Sequence, residues 1–262
     1  MKYQSIIAAG LSLLLLNSAS GTSLFFSGHG DLGIGGGPAS GGDPAELELH
    51  YHLGEDTGAT LVGGANAGFV PDPGEEFEVD EIVVRVFNPL PDTDFSAPIF
   101  SFLGPLGDFV YVLPEDEVDA DAAGVPFLGI GAEELVPGDW TGSLVLTVDH
   151  AAYNGFSNPG EFSLYDFGSA QTGADTNPFI STSNDGGIGF EIDAGGHSHA
   201  NWAFTAPGLY NVPFVVTGTP SAGGGPITDT ATYQFLVIPE PSTSLLGLAS
   251  LVLIGLRRTR RA

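Results

Sequence analysis

The sequence predicts an all-β protein, a single β-sandwich of immunoglobulin-like or jelly-roll-like type, with an open barrel as the related alternative. Three observations carry this. About ten short apolar or alternating runs follow one another with turn residues between them. Helical periodicity is almost absent. The 262 residues include 39 glycines and 19 prolines, yet 42% are hydrophobic, which argues for an ordered, turn-rich chain over a disordered one.

The elements follow in order. Leu24 to Ser27 reads as a first strand running into Gly28-His29-Gly30-Asp31, and Gly35 to Asp43 reads as a flexible loop. In Ala45 to Leu53, alternation turns Leu47, Leu49, Tyr51 and Leu53 inward and Glu48, His50 and His52 outward. Phe77 to Phe87 reads as one long strand, and Ile99 to Leu103 and Phe109 to Leu113 as two short ones. Glu115 to Ala123 reads either as the one plausible short helix or as an acidic loop. Val125 to Ile130 is short and apolar, and Gly142 to Val148 is a strand ending at Asp149-His150. Glu161 to Phe167, Gly187 to Ile192, His197 to Phe204, Leu209 to Thr217 and Thr230 to Ile238 complete the strands, with a tight turn at Ala206-Pro207-Gly208. No internal repeat and no long linker is present, so residues 22–237 read as one domain.

Both ends stand apart from this body. Lys2, the apolar run Ile6 to Leu16 and Ser18-Ala19-Ser20 have the three-part order of a secretory signal peptide over residues 1–20. Residues 238–262 hold Pro239-Glu240-Pro241, an apolar run Leu245 to Leu256, and then Arg257, Arg258, Arg260 and Arg261. This tail resembles the PEP-CTERM sorting signal, whose apolar part is a short transmembrane sorting helix. The resemblance implies recognition by an exosortase after signal peptidase has acted. It further implies removal of the tail and delivery to the cell surface or extracellular matrix of a Gram-negative bacterium, with the membrane touched only through that helix.

The charge is concentrated in the same way. Of six basic residues only Arg85 lies between the ends, while all but Glu240 of the 32 acidic residues do. Such a body repels nucleic acid and anionic membranes and attracts cations. There is no cysteine. Zinc–thiolate and iron–sulfur sites are therefore excluded, and a metal site must use histidine, carboxylate, amide or backbone oxygen.

Histidines supply the best candidates. His50 and His52 form one H-x-H pair and His197 and His199 another, so four of six histidines are paired. On a strand, residues i and i+2 share a face about 6.6–6.8 Å apart. Two imidazoles can then converge on one ion at about 2.0–2.1 Å. If the two strands are neighbours, both pairs can serve one ion. His29 and Asp31 repeat the spacing, His150 follows Asp149 at a strand end, and Asn201 continues the histidine face as a hydrogen-bonding support. Trp202 and Phe204 read as core. Zinc is the expected ion. Calcium competes, through the acidic loops Asp92-Thr93-Asp94, Asp116 to Asp121 and Asp175-Thr176-Asn177, none of which has an EF-hand pattern.

Gly196-His197-Ser198-His199-Ala200-Asn201-Trp202-Ala203-Phe204 through Tyr210, with Thr228 to Phe235, resembles the signature of the choice-of-anchor M domain. Gly28 to Asp31 and Leu47 to His52 resemble its N-terminal segments. That domain is similar to the surface-anchored repeat domain of actinobacterial wall proteins. Some of its members are associated with ABC-type transporters suspected of carrying metal ions, so the resemblance implies a metal-capturing role and a metal-transport system as a partner. The competing expectation is a structural or adhesive matrix protein that binds exopolysaccharide or other surface proteins, with its histidines incidental.

An enzyme is not expected. There is no G-x-S-x-G elbow and no H-E-x-x-H, the cupin glutamate is missing after His199, and Gly33 to Gly37 lacks the lysine and helix of a phosphate loop. Sorting has a direct consequence: a C-terminal epitope tag is expected to be absent from the mature surface protein when the tagged chain is expressed in its host, as read by immunoblot of the surface fraction.

Overall fold

The structure, a computed structural model, describes residues 21–37, 45–54, 58–72, 74–91, 95, 98–166, 178–183 and 189–239. The expected signal peptide lies outside the described residues, as does the sorting tail from Glu240 through Pro241 to Arg257 and Arg258. Strands make up 51% and helices 10%, which sets the class as all-β, and the sheets pack as a curled half-barrel. No helix among the described residues is long and apolar enough to cross a membrane.

The strands are β1 (Ser23–Gly37), β2 (Glu46–Leu53), β3 (Ala59–Val62), β4 (Glu75–Phe77), β5 (Ile82–Val86), β6 (Pro89–Pro91), β7 (Phe109–Leu113) and β8 (Pro126–Gly131). They continue as β9 (Leu144–Val148), β10 (Phe162–Tyr165), β11 (Ile180–Ser181), β12 (Phe190–Ile192), β13 (His197–His199), β14 (Asn201–Phe204), β15 (Gly208–Gly218) and β16 (Ile227–Val237). Of the two readings of Glu115 to Ala123, the helix forms, as α1 (Glu117–Ala123), where the Asp116 side chain caps the amides of Val118 and Asp119 and Gly124 closes the far end at φ 64°. A second helix, α2 (His150–Gly155), replaces the expected strand end, because Asp149 accepts from the Ala152 amide and caps it. Residues 98–103, expected as a strand, form a 3₁₀ turn. The expected strand 77–87 is divided by a turn into β4 and β5.

Two sheets result. One runs β12-β9-β15-β16-β5-β1-β2-β4, with β3 and β8 also on β1 and β13 on β8; the other runs β11-β10-β14-β7-β6. The organising strand is β1. Its first half lies between antiparallel β3 and parallel β5; past a register shift between Phe25 and Ser27, its second half lies between antiparallel β2 and parallel β8. β1 therefore changes neighbours along both edges, from β3 to β2 on one and from β5 to β8 on the other.

Alternation sorts the faces. Leu32 and Ile34 of β1, Leu49, Tyr51 and Leu53 of β2, and Leu128 and Ile130 of β8 all join the main apolar core. The intervening residues, His29, Asp31, Gly33, His50, His52, Phe127 and Gly129, lie on the opposite face. The expected strand 197–204 breaks at Ala200. β13 belongs to the first sheet and β14 to the second, so the chain crosses between sheets there. Trp202 and Phe204 are fully buried, as expected of core. Trp202 also reaches back across the core, its Nε1 donating to the Leu128 carbonyl at 2.9 Å.

That bond fixes β8 against the second sheet. Replacing Trp202 with Phe is expected to cost about 1–3 kcal/mol, the penalty of a lost buried bond and an unpaired acceptor. Val118→Ala, at a residue 74% exposed, is expected to stay within about 0.5 kcal/mol. Urea unfolding of the two variants checks both values.

Candidate metal centres

The histidine face is built from two rows across four strands. His52, Asp31, Gly129 and His199 are register partners in one row, and His50, Gly33, Gly131 and His197 in the next. The order is β2-β1-β8-β13, so the two H-x-H pairs sit three strand spacings apart, about 14 Å. Both pairs share a face, but they are too far apart to serve one ion. The single four-histidine site expected from sequence is corrected accordingly. Among the described residues, the ligand-type side chains gather in two groups: His29, Asp31, His197 and His199, and His50, His52 and Glu134, each with ligand atoms within 4.8 Å of one another.

In the first group Asp31 is fully buried. His197 Nε2 lies 3.0 Å from Asp31 Oδ1 and His29 Nε2 lies 3.7 Å from it. His199 stacks on Phe127 at 3.9 Å between centroids and 8° between planes, and His29 tilts against the same phenyl at 5.0 Å. Gly129 leaves the room for all this. A Cβ there would collide with Asp31 Oδ1, and would lie 2.8 Å from His197 Nε2 and 2.9 Å from His199 Cε1. Asp31 Oδ2 and His199 Nδ1 are buried without a hydrogen-bond partner.

In the second group, His50 Nε2 and His52 Nε2 are 2.8 Å apart, and Glu134 Oε1 lies 2.8 Å from His52 Nε2 and 3.7 Å from His50 Nε2. Both histidines are about 5% exposed, so the expectation of outward-facing residues is right for the face and wrong for the exposure, since Glu134 folds over them. Gly33 and Gly35 make the space. A Cβ on Gly33 would meet His50 Nε2 at 2.7 Å, and one on Gly35 would collide with Glu134. The stretch from Gly35, expected as a loop, is thus strand as far as Gly37.

The sequence reading missed Glu133 and Glu134. The turn after β8 is tied to the approach to β13 by Ala132 N to Gly196 O and Gly195 N to Ala132 O, both 2.8 Å. Buried Leu135 anchors it. Its two glutamates then diverge: Glu134 goes to His52, and Glu133 Oε1 lies 3.0 Å from His197 Nδ1. A carboxylate on Nδ1 fixes the ring so that Nε2 faces Asp31, the arrangement that supports metal-binding histidines. An acidic pair one residue after Gly129-Ile130-Gly131 was the available signal.

The remaining candidates fall elsewhere. His150 opens α2, outside both groups. Asn201 hydrogen-bonds no imidazole; its Oδ1 accepts from the Glu115 amide at 3.2 Å and its Nδ2 donates to the Glu115 carboxylate at 2.8 Å. Of the acidic loops, Asp116 is engaged as a helix cap, and residues 92–94 and 175–177 lie outside the described residues.

Electrostatics favours ligation. Burial, then the neighbouring His197, lowers His199 to about 4. Burial, then His52, lowers His50 below its ordinary value. Both rings are therefore neutral at pH 7 and present lone pairs. Burial alone would raise Asp31, but hydrogen bonds from His197 and His29 and their charge outweigh it and hold the carboxyl well below the usual range.

Comparison with known proteins returns no match to a family model, a curated protein or a solved structure.

Gly129→Ala is expected to destabilise the fold by about 1–3 kcal/mol, because the methyl meets three ligand side chains at once. Gly37→Ala, whose Cβ would meet nothing within 4 Å, is expected to be near neutral. Urea midpoints compare them.

Proposed function

We propose that this chain is an exported, exosortase-sorted surface or matrix protein. Its β domain holds a divalent transition metal, zinc first, through His29, Asp31, His197 and His199. On this reading residues 22–237 are one sandwich-like domain whose two sheets are joined by the crossover at Ala200, and the resemblances to the choice-of-anchor M domain and the PEP-CTERM tail supply its compartment.

The observation that carries the proposal is Asp31: a fully buried carboxylate with one oxygen lacking a donor, amid three histidines. A buried anion of this kind needs a counter-charge. Three nitrogens and one carboxylate oxygen are the donor set and number of a closed tetrahedral zinc site. In that geometry the ligand atoms stand about 3.3 Å apart, so the separations of up to 4.8 Å close by small side-chain movements. Calcium, which takes six to eight oxygens, fits poorly. Glu133 would orient His197, and Phe127 would wall the site. No step of a reaction is assigned, since four protein ligands leave a tetrahedral ion no open position. Capture or structural retention is the role that follows.

Metal analysis after incubation with zinc and gel filtration is expected to find zinc retained by the wild-type protein, with the tightly held equivalent lost in Asp31→Asn. Wild-type protein emerging free of metal would instead favour the structural or adhesive role.

A further inference from the structure

We infer that the same face carries a second, independent zinc site at His50, His52 and Glu134, open to solvent and more weakly held. This extends the metal-binding reading above and rests on it.

The hydrogen-bonding geometry motivates it. A ring nitrogen carries either one hydrogen or one lone pair. Yet His52 Nε2 has two partners at 2.8 Å, His50 Nε2 and Glu134 Oε1. One proton satisfies a single linear bond, so the other short contact is left unsatisfied in every tautomer. Three ligand atoms within 4.8 Å of one another, short of protons to pair them, are what a cation satisfies. The absence of Cβ atoms on Gly33 and Gly35 leaves the room that His50 and Glu134 occupy.

The site is held in place from behind. The Tyr233 hydroxyl donates to the His50 carbonyl at 2.6 Å, and the neighbouring Leu49 amide donates to Asp229 at 2.9 Å. Both fix the β2 backbone, so the histidine spacing is set before any ion arrives.

The two centres differ in a way that gives them different tasks. The first has four ligands. The second has three, which leaves a fourth tetrahedral position to water. Its carboxylate is about one-third exposed, whereas Asp31 is fully buried. The second site therefore exchanges with solvent, while the first retains its ion. Glu133 and Glu134 are adjacent in one turn, yet each serves a different centre.

The test is zinc titration of the full mature protein against a chromophoric chelator. Two equivalents are expected in the wild type, the second at least tenfold weaker and first to be stripped. His52→Ala and Glu134→Gln should each remove the weaker equivalent and leave the tight one. Asp31→Asn should do the reverse. Glu134→Gln changes a partly exposed side chain and guards against misfolding of His52→Ala, with circular dichroism as the check. One equivalent in the wild type, unchanged in both second-site variants, overturns the second site and leaves the first standing. Loss of both equivalents in Glu134→Gln with the fold intact overturns their independence. No bound zinc in the wild type removes the metal reading altogether.

Discussion

The histidine face depends on how the charge of Asp31 is met. The carboxylate is fully buried, in a body whose sole lysine or arginine is Arg85. That guanidinium is engaged elsewhere: it donates to the Gly124 carbonyl at 2.8 Å and lies over the Phe26 and Phe87 rings. The charge must therefore be balanced locally, by imidazolium or by a metal. His199 is held near 4 by burial and by His197, so imidazolium charge against Asp31 falls to His197 and His29, whose rings repel each other when both are charged. On the proposed reading a dication would neutralise the carboxylate while all three rings stay neutral.

Strand β1 makes this arrangement possible by its alternation. Along one face it presents His29, Asp31, Gly33 and Gly35, two candidate ligands and then two gaps. The gaps are filled from the next strand and the next turn, by His50 and Glu134. β8 does the same at Gly129 and Gly131, which lie beneath Asp31 and Glu133. Glycine weakens a strand interior and here marks the close approach of other groups. The neighbouring strands compensate, since β1 is paired along both edges.

Much of this was legible in the sequence, and the limits have physical causes. The all-β class and the ligand spacing follow from period-two alternation, which is local. Strand order is not local, and it decided that His50 and His197 lie in one row with two glycines between them. Gly35 to Gly37 read as a loop because composition alone does not distinguish a glycine that bends the chain from one that makes room. Glu133 and Glu134 were two among 32 acidic residues, and a turn has no periodicity to single them out. Asn201 has the right parity to follow His199, but the chain changes sheets at Ala200, and parity does not survive the crossover.

The sequence separation within the first centre bears on what a metal would do there. His197 and Asp31 are 166 residues apart and meet at 3.0 Å. An ion held between them would tie the first strand to a late one and close most of the chain into a loop. In a chain with no cysteine, that is the constraint a disulfide would otherwise provide, and by the loop-entropy argument such a tie stabilises by about 2–5 kcal/mol. His50 and His52 are two residues apart on a strand already paired on both sides by β1 and β4. The third ligand atom of the second centre, on Glu134, is 82 residues from His52, so an ion there would also close a long loop. A metal at either centre would thus be coupled to folding, and the twofold difference in loop length is worth only about 0.6 kcal/mol. What would separate retention from exchange on this face is exposure, since Asp31 is fully buried and Glu134 is about one-third exposed.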